Sequence, residues 1–398
     1  MISAHNSPLD QPGIGDAGGM NTYIRQLALA LAQLGAEVVV FTRAVSAAAP
    51  EVVLAPGVTV RHIAAGPFED LDEGDLPDHL HAMTRGILQD EASRETGHYD
   101  LVHSHYWLSG QVGSLVADHW GVPLVHTMHS LARVENALLD PGAEREPTIR
   151  ETGEEKVVAA AHRLIANTAD EAADLIGRYG ADSAKVVVIH PGVETAVFTP
   201  GDQAAARLRA GLDPTESLVV FVGRIQALKG PDVLVEALAR LRARGGYVPR
   251  LLISGGSSGN PTALQELQEL VRQVGVGDRV EFRPPVSRTE LADLYRAADV
   301  VAVPSRSESF GLVAAEAMCA GAAVAAADVG GLRHVLADGT AGRLVLGHDP
   351  DTWADALSGL LADPAERDRL SRVAAAQSDR FSWRRAAEEM LQVYQQLG

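Results

Sequence analysis

The chain has 398 residues, 46% of them hydrophobic, which is enough for two domains with a core each. A formal net charge of −18 with no basic stripe argues against nucleic acid as a partner, because its phosphates would be repelled. The single cysteine, Cys319, excludes a disulfide scaffold and predicts a reducing cytoplasm, and no signal peptide or apolar run of membrane-spanning length stands in the sequence.

In chain order, Ile2 to His5 forms a first strand with almost nothing ahead of it, so the chain is expected to begin late or to be truncated. A helix from Met20 to Leu34 and a strand from Glu37 to Thr42 follow, with further strands near Leu101, Leu124, Leu164 and Val186. This alternation predicts a parallel sheet. The stretch from His190-Pro191-Gly192-Val193 to Phe198-Thr199-Pro200-Gly201 is punctuated by proline and glycine and reads as a hinge. Beyond it, Leu218 to Val222, Arg250 to Ser254, Val280 to Phe282, Val300 to Val303 and Ala323 to Ala326 read as the strands of a second sheet. Helices lie near Trp353 to Leu361 and Trp383 to Leu397. The expected fold class is α/β: two facing Rossmann-like domains, residues 1–195 and 202–380, with a cleft between strand C-termini.

Glu308 and Glu316 stand eight residues apart in V-P-S-R-S-E-S-F-G-L-V-A-A-E, across the turn from an apolar strand into a helix opened by Gly311. Open α/β sheets bind ligands at such turns. Each carboxylate can accept two hydroxyl hydrogen bonds from a ribose or hexose, while the helix N-terminus suits phosphate. A solvated loop acid and a surface helix acid would give the same spacing. After the strand Leu218 to Val222 comes Gly223-Arg224-Ile225-Gln226-Ala227-Leu228-Lys229-Gly230, then a helix. Arg224 and Lys229 could hold a diphosphate, with the glycines admitting backbone close to it. Lys156, Lys185 and Lys229 are the three lysines among 34 basic residues, so a lysine at this turn is more than surface filler. A basic helix start at the surface is the plainer alternative.

Two other readings compete. Gly13, Gly15 and Gly18 spell a dinucleotide fingerprint, but seven residues separate them from the first strand. The second strand ends at Arg43 rather than at an acid for ribose, which leaves only an NADP-type oxidoreductase. His103-Ser104-His105 and His126-Thr127-Met128-His129 invite zinc, yet both close apolar runs and no thiolate-rich set exists. Hydrogen bonding at the sheet end is the preferred role for His103 and His105.

Together the motifs resemble the retaining nucleotide-sugar glycosyltransferases of the GT-B fold, the family of sucrose-phosphate synthases and bacterial mannosyltransferases. That resemblance implies that Arg224 and Lys229 bind a donor diphosphate, with Glu308 at the donor sugar and Glu316 at the ribose. Three further stretches, His5 to Ile24, Val102 to Gly113 and His126 to Leu131, are similar to the mycothiol-pathway D-inositol-3-phosphate glycosyltransferases, and the similarity runs over nearly the whole chain. Those enzymes join N-acetylglucosamine from its UDP derivative to inositol 3-phosphate. The resemblance implies an acceptor surrounded by His5, Asp16, Ala17, Gly18, Gly19, Met20, Asn21, Tyr106, Ser130 and Arg150. It places Gln11, Pro12, Gly19 and Val286 at the donor, and makes His129 a donor-sugar contact that joins Arg224, Lys229 and Glu308 in catalysis.

Two positions depart from the pattern. Ser130 replaces a threonine and keeps its hydroxyl; Glu73, in G-P-F-E-D-L-D-E-G-D-L-P, stands where a phosphate-binding lysine is expected. An anion beside a phosphate changes attraction into repulsion of roughly a kcal/mol or more. Either Arg150 and the loop amides carry the phosphate alone, or the acceptor is another compound: a sugar phosphate, phosphatidylinositol or a natural-product alcohol. The resemblance further implies retention of configuration, small-molecule substrates, a homodimer, a loop that closes over substrates, and the last two helices packed back across the hinge, with 383–398 completing the first domain. It implies no cofactor for catalysis; the Y-R-A-A-D match permits a structural magnesium ion on the carbonyls of Tyr295, Arg296 and Ala298.

Overall fold

The computed structural model describes residues 1–13, 17–47, 49–95, 97–138, 145–257 and 262–398. Asp16 of the expected acceptor loop lies outside them. The chain divides into an N-terminal unit (Met1–Asp10, Gly19–Gly192 and Trp383–Gly398) and a C-terminal unit (Gln11–Gly18 and Val193–Ser382).

The N-terminal unit is built on strands β1 (Ile2–Ser3), β2 (Val38–Arg43), β3 (Glu51–Ala55), β4 (Val58–Ile63), β5 (Val102–His105), β6 (Leu124–Thr127), β7 (Arg163–Ala166) and β8 (Val186–Val188). Their order is β3-β4-β2-β1-β5-β6-β7-β8. The strand period of two sends alternate residues to opposite cores. Leu124 and Leu164 enter one apolar cluster, while Val125 and Ile165 enter the other. On that second face Tyr23, Ile24, Leu27 and Leu31 of the helix Gly19–Gln33 share a core with Ala387 and Met390 of the helix Trp383–Gln395. Each such leucine contributes about 1.5–3 kcal/mol by leaving water. The pairings are parallel except β3 with β4, an antiparallel hairpin that the βα alternation did not predict. Its signal was weak because β3 is an edge strand with exposed Glu51 and Val53, turned at Pro56-Gly57 where Gly57 has φ 79°.

The C-terminal unit carries β9 (Leu218–Val222), β10 (Arg250–Ser254), β11 (Val280–Arg283), β12 (Val300–Val303), β13 (Val324–Ala327) and β14 (Arg343–Val345). All pairings are parallel in the order β11-β10-β9-β12-β13-β14, the doubly wound 3-2-1-4-5-6 arrangement. Small residues let the helix Leu312–Cys319 close onto the sheet: Ala314, Ala315 and Ala317 are fully buried over Ala326 and Val324. The helix Pro350–Ala362 does not cross the hinge as expected. Its Trp353, fully buried, packs with Leu234 and Leu238 inside this unit and donates its indole N–H to the Gly347 carbonyl at 3.1 Å. Sequence reading missed β14, which is three residues long, and the helix Pro364–Ala376, whose charged run buries only Leu370 and Ala374.

Candidate active site

In the C-terminal unit the strand order reverses between β9 and β12, the kind of switch point at which open α/β sheets bind ligands. The loop after β9 is Gly223 to Gly230. The loop after β12 runs from Pro304 to Gly311. Gly230 takes φ 68°, and a Cβ there would stand 2.3 Å from the Pro304 carbonyl oxygen, so only glycine lets the two loops touch. Lys229 Nζ and Glu308 Oε2 then meet at 2.7 Å, both partly exposed. Ser305 Oγ lies 3.4 Å from the same carboxylate oxygen. Arg306 locks the junction by donating to the Ala227 carbonyl at 2.6 Å and to Asp232 at 2.7 and 3.1 Å. On its far side the Glu308 carbonyl accepts the Gly331 N–H at 2.9 Å.

Glu316 lies one helical turn further in and differs sharply from a surface acid. It is 5% exposed and accepts from Arg288 and from the Tyr295 hydroxyl, each at 3.2 Å. Burial raises its pKa, against the lowering pull of the Arg288 guanidinium. Arg288 also pairs with Glu194 and lies over the Phe198 ring, 4.8 Å from its centroid. The sequence reading missed Arg288. The available signal was the capping box Ser287 to Glu290, which fixes the start of its helix, Arg288–Ala297.

The N-terminal unit uses the same rule, with its order reversing between β1 and β5. His5 follows β1, Tyr106 follows β5, and their rings approach with centroids 4.7 Å apart. Tyr106 takes φ 73°, a left-handed conformation rare outside glycine and frequent at functional sites. Its hydroxyl donates to Glu73, which also accepts from the Trp107 indole at 3.3 Å. Arg150, 4% exposed, lies 5.2 Å from the Tyr106 ring centroid and donates to Ser130 Oγ at 2.7 Å. Three carboxylates hold the same guanidinium: Glu146 at 2.8 Å, and Glu135 and Glu154 at 3.0 Å. Those acids were not singled out from the sequence; Glu146 and Glu154 carry the one available signal, helical i,i+4 spacing from Arg150. Asn21 donates to the Ser7 carbonyl at 2.7 Å, and Met20 packs on the Tyr106 and Trp107 cluster next to Gly19 at the helix start.

Known proteins fit this pair of half-sites. The family model for "Glycosyl transferase 4-like domain" matches residues 18–192 and that for "Glycosyl transferases group 1" matches residues 202–377. The chain is 56% identical to the D-inositol 3-phosphate glycosyltransferase of Xylanimonas cellulosilytica, over 100% of this chain and 96% of that protein. The chain belongs to the D-inositol 3-phosphate glycosyltransferase family. The Mycolicibacterium smegmatis member is 53% identical over 99% of this chain and 90% of its own. Among solved structures, the sucrose-phosphate synthase of Thermosynechococcus elongatus matches with a TM-score of 0.92 at 33% identity, covering 100% of this chain and 98% of that one. The protein is therefore a glycosyltransferase of the GT-B fold.

In this glycosyltransferase the loop ahead of the first helix divides between units. Gln11–Gly18 belongs to the C-terminal unit, where Gly13 N–H donates to the Ala17 carbonyl at 2.8 Å and Gln11 Nε2 lies 3.5 Å from the Val286 carbonyl. Pro12 is half-buried beside them, and Gly18 lies against Arg224, an added Cβ falling 3.5 Å from its Nε. Arg43, the residue left to an NADP reading, donates to the Pro67 and Glu69 carbonyls at 2.9 and 2.6 Å and so pins the Glu73 loop instead.

The histidines form one buried polar cluster at the ends of β5 and β6. His103 joins the Tyr394 hydroxyl at 2.6 Å and Thr127 at 2.9 Å; His126 joins Ser104 at 2.8 Å. His105 Nδ1 and His129 Nε2 are 3.0 Å apart, and His129 takes φ 67°. Burial pushes the His126 and His129 pKa values down to about 3. Among the described residues no group of three acids, histidines or cysteines could hold a metal, and no helix is long and apolar enough to cross a membrane.

Of the carbonyls suggested for magnesium, those of Tyr295 and Ala298 each accept a hydrogen bond within the fold. Tyr295 O takes the Ala298 N–H at 3.3 Å, Ala298 O takes Gln203 Nε2 at 3.0 Å, and the intervening Ala297 O takes the Arg207 guanidinium at 2.9 Å. Arg296 extends to the Val197 and Thr199 carbonyls.

Proposed function

We propose that the enzyme transfers N-acetylglucosamine from UDP-N-acetylglucosamine to 1D-myo-inositol 3-phosphate with retention of configuration, the first step of mycothiol biosynthesis. The observation that carries this reading is 56% identity along the full chain to a protein of that acceptor's name. The switch-point geometry supports it. Arg224 and Lys229 meet the donor diphosphate, Glu308 the sugar and Glu316 the ribose; Gln11, Pro12, Gly19 and Val286 complete the donor set. His5, Ala17, Gly18, Gly19, Met20, Asn21, Tyr106, Ser130 and Arg150 serve the acceptor, and His129 hydrogen-bonds a substrate hydroxyl.

The bond between sugar C1 and the diphosphate oxygen breaks, and its electron pair leaves with the phosphate. The acceptor oxygen bonds to C1 on the same face, and its proton passes to the departing phosphate oxygen. Lys229, held 2.7 Å from Glu308 before substrate arrives, needs little reorganisation to meet charge growing on that oxygen.

One observation favours a second acceptor. Arg150 is already held by Glu135, Glu146 and Glu154, and Glu73 adds a fourth carboxylate at Tyr106. An uncharged polyol or natural-product alcohol asks for no free cation there. UDP release from UDP-N-acetylglucosamine, measured with inositol 3-phosphate and then with myo-inositol, separates the two, and the product mass identifies what was joined. No release with any inositol phosphate would overturn the first reading.

A further inference from the structure

We infer that His105 is a positioning residue that fixes the proton of His129 on Nδ1, so that His129 presents an N–H donor to the substrate. The inference rests on the reading of His129 as a substrate contact. His105 closes β5, is fully buried, and places Nδ1 3.0 Å from His129 Nε2. Both rings are neutral, since burial holds each pKa far below 6.5. Between two neutral imidazoles, one nitrogen donates and the other must be bare.

Two arrangements exist, and they differ at the far side of His105. If His129 Nε2–H donated, His105 would carry its own proton on Nε2, a buried atom with no partner among the described residues. A buried N–H left unmet is rarer than an unmet acceptor. The other arrangement leaves only a lone pair there: His105 Nδ1–H donates to His129 Nε2, and the His129 proton resides on Nδ1. His103 does not interfere, because both its nitrogens are engaged, by Tyr394 and Thr127. The edge of Tyr23 holds the pair in place, with ring centroids 4.9 Å from His129 and 5.8 Å from His105. The left-handed backbone at His129 sets the direction of its ring.

The consequence concerns chemistry. With Nδ1 protonated and Nε2 filled, His129 can donate a hydrogen bond to a substrate oxygen but cannot accept a proton from the acceptor. It binds and orients; it is not the base.

The test is ring-nitrogen NMR of the 15N-histidine-labelled enzyme, with the His129 signals assigned from His129→Asn. The expected wild-type pattern has His129 protonated at Nδ1. His105→Phe keeps the ring's shape but loses the donor, so the His129 Nε2 signal should move to that of a bare nitrogen that accepts no hydrogen bond. His105→Asn puts an amide N–H where Nδ1–H was, and should retain the wild-type pattern. In glycosyl transfer, His105→Phe should lower kcat about tenfold, the worth of one hydrogen bond, with donor KM little changed. His105→Asn should recover most of that loss. A wild-type His129 protonated at Nε2 overturns the inference, and so does equal loss in the Phe and Asn variants. Should the Phe variant fail to fold, the wild-type spectrum and the Asn variant still decide. If the proton is on Nδ1 yet His129→Asn transfers at the normal rate, His129 is no substrate contact and only the reading beneath the inference fails.

Discussion

The two units of this glycosyltransferase place their candidate residues by one rule and build them from different materials. In each, those residues stand on the loops after the strands that flank the reversal of order: His5 and Tyr106 in one, Lys229 and Glu308 in the other. The N-terminal half-site is made of side chains buried against one another, with Arg150 held among three carboxylates and four histidines packed at the ends of β5 and β6. The C-terminal half-site is made of glycine-lined backbone and a partly exposed ion pair. Loss of a side chain should therefore unsettle the fold in the first and spare it in the second.

Replacing Arg150 by alanine should break the comparison open most widely. It would strand Glu154, a carboxylate with no side-chain exposure, together with Glu135 and Glu146. Removing one partner of a buried ion pair costs about 3–5 kcal/mol. Hydrogen exchange read by mass spectrometry should show the helix Thr148–Ala160 losing protection while the strands β9 to β13 keep theirs. If both units loosen equally, their independence is wrong. Lys229→Ala should do the reverse, lowering turnover by about two to three orders of magnitude, as for loss of one transition-state donor. Its melting temperature should stay near the parent's, because Glu308 retains access to water. A near-normal rate would remove Lys229 from the mechanism.

How much of this was legible follows from the range of each signal. The apolar runs at Leu218 and Val300, each a strand ending in glycine or proline, announced a parallel sheet and the position of its ligand crevice. The β3–β4 hairpin was not legible, because an edge strand with exposed Glu51 and Val53 carries no such run. For Glu316 the sequence left a buried ligand acid and a surface acid equally open. That it is buried follows from Arg288 and Tyr295, 28 and 21 residues away, a partnership no local pattern encodes. The division of the loop at Gly18 is likewise set by packing against Arg224 and Pro285, far along the chain.

A smaller effect sharpens the contrast through pH. Glu171, 5% exposed in the N-terminal unit, accepts the Asn167 N–H at 2.7 Å, and burial raises its pKa to about 7. Raised above the unfolded value of 4.5, it contributes stability that is complete below pH 4.5 and lost as pH rises through 7. The histidines act oppositely. With His126 and His129 held at about 3, their stability is complete above 6.5 and lost as pH falls toward 3. Glu171→Gln should therefore stabilise the unit at pH 8 by up to about 3 kcal/mol, from 2.5 pKa units at 1.36 each, and change little at pH 4. Denaturant titration at both values checks the sign; equal effects would mean that Glu171 is not ionising.

Glu73→Lys has the smallest expected effect and bears on the acceptor itself. Glu73 is exposed, so the fold does not depend on its charge, but its carboxylate takes the Tyr106 hydroxyl and the Trp107 indole N–H. Exchanging it for a cation removes those two acceptors and reverses the local field at Tyr106, where Arg150 is already neutralised by its own acids. A change of about 1 kcal/mol or more in a partly wet site corresponds to about five-fold or more in apparent affinity. For an anionic acceptor, KM should fall by that factor and the fall should shrink with added salt, while the KM for myo-inositol stays unchanged. If the native enzyme instead handles myo-inositol as well as its phosphate, and Glu73→Lys slows both alike, then Glu73 serves through its hydrogen bonds to Tyr106 and Trp107. The charge of the acceptor would then not be what this half-site reads.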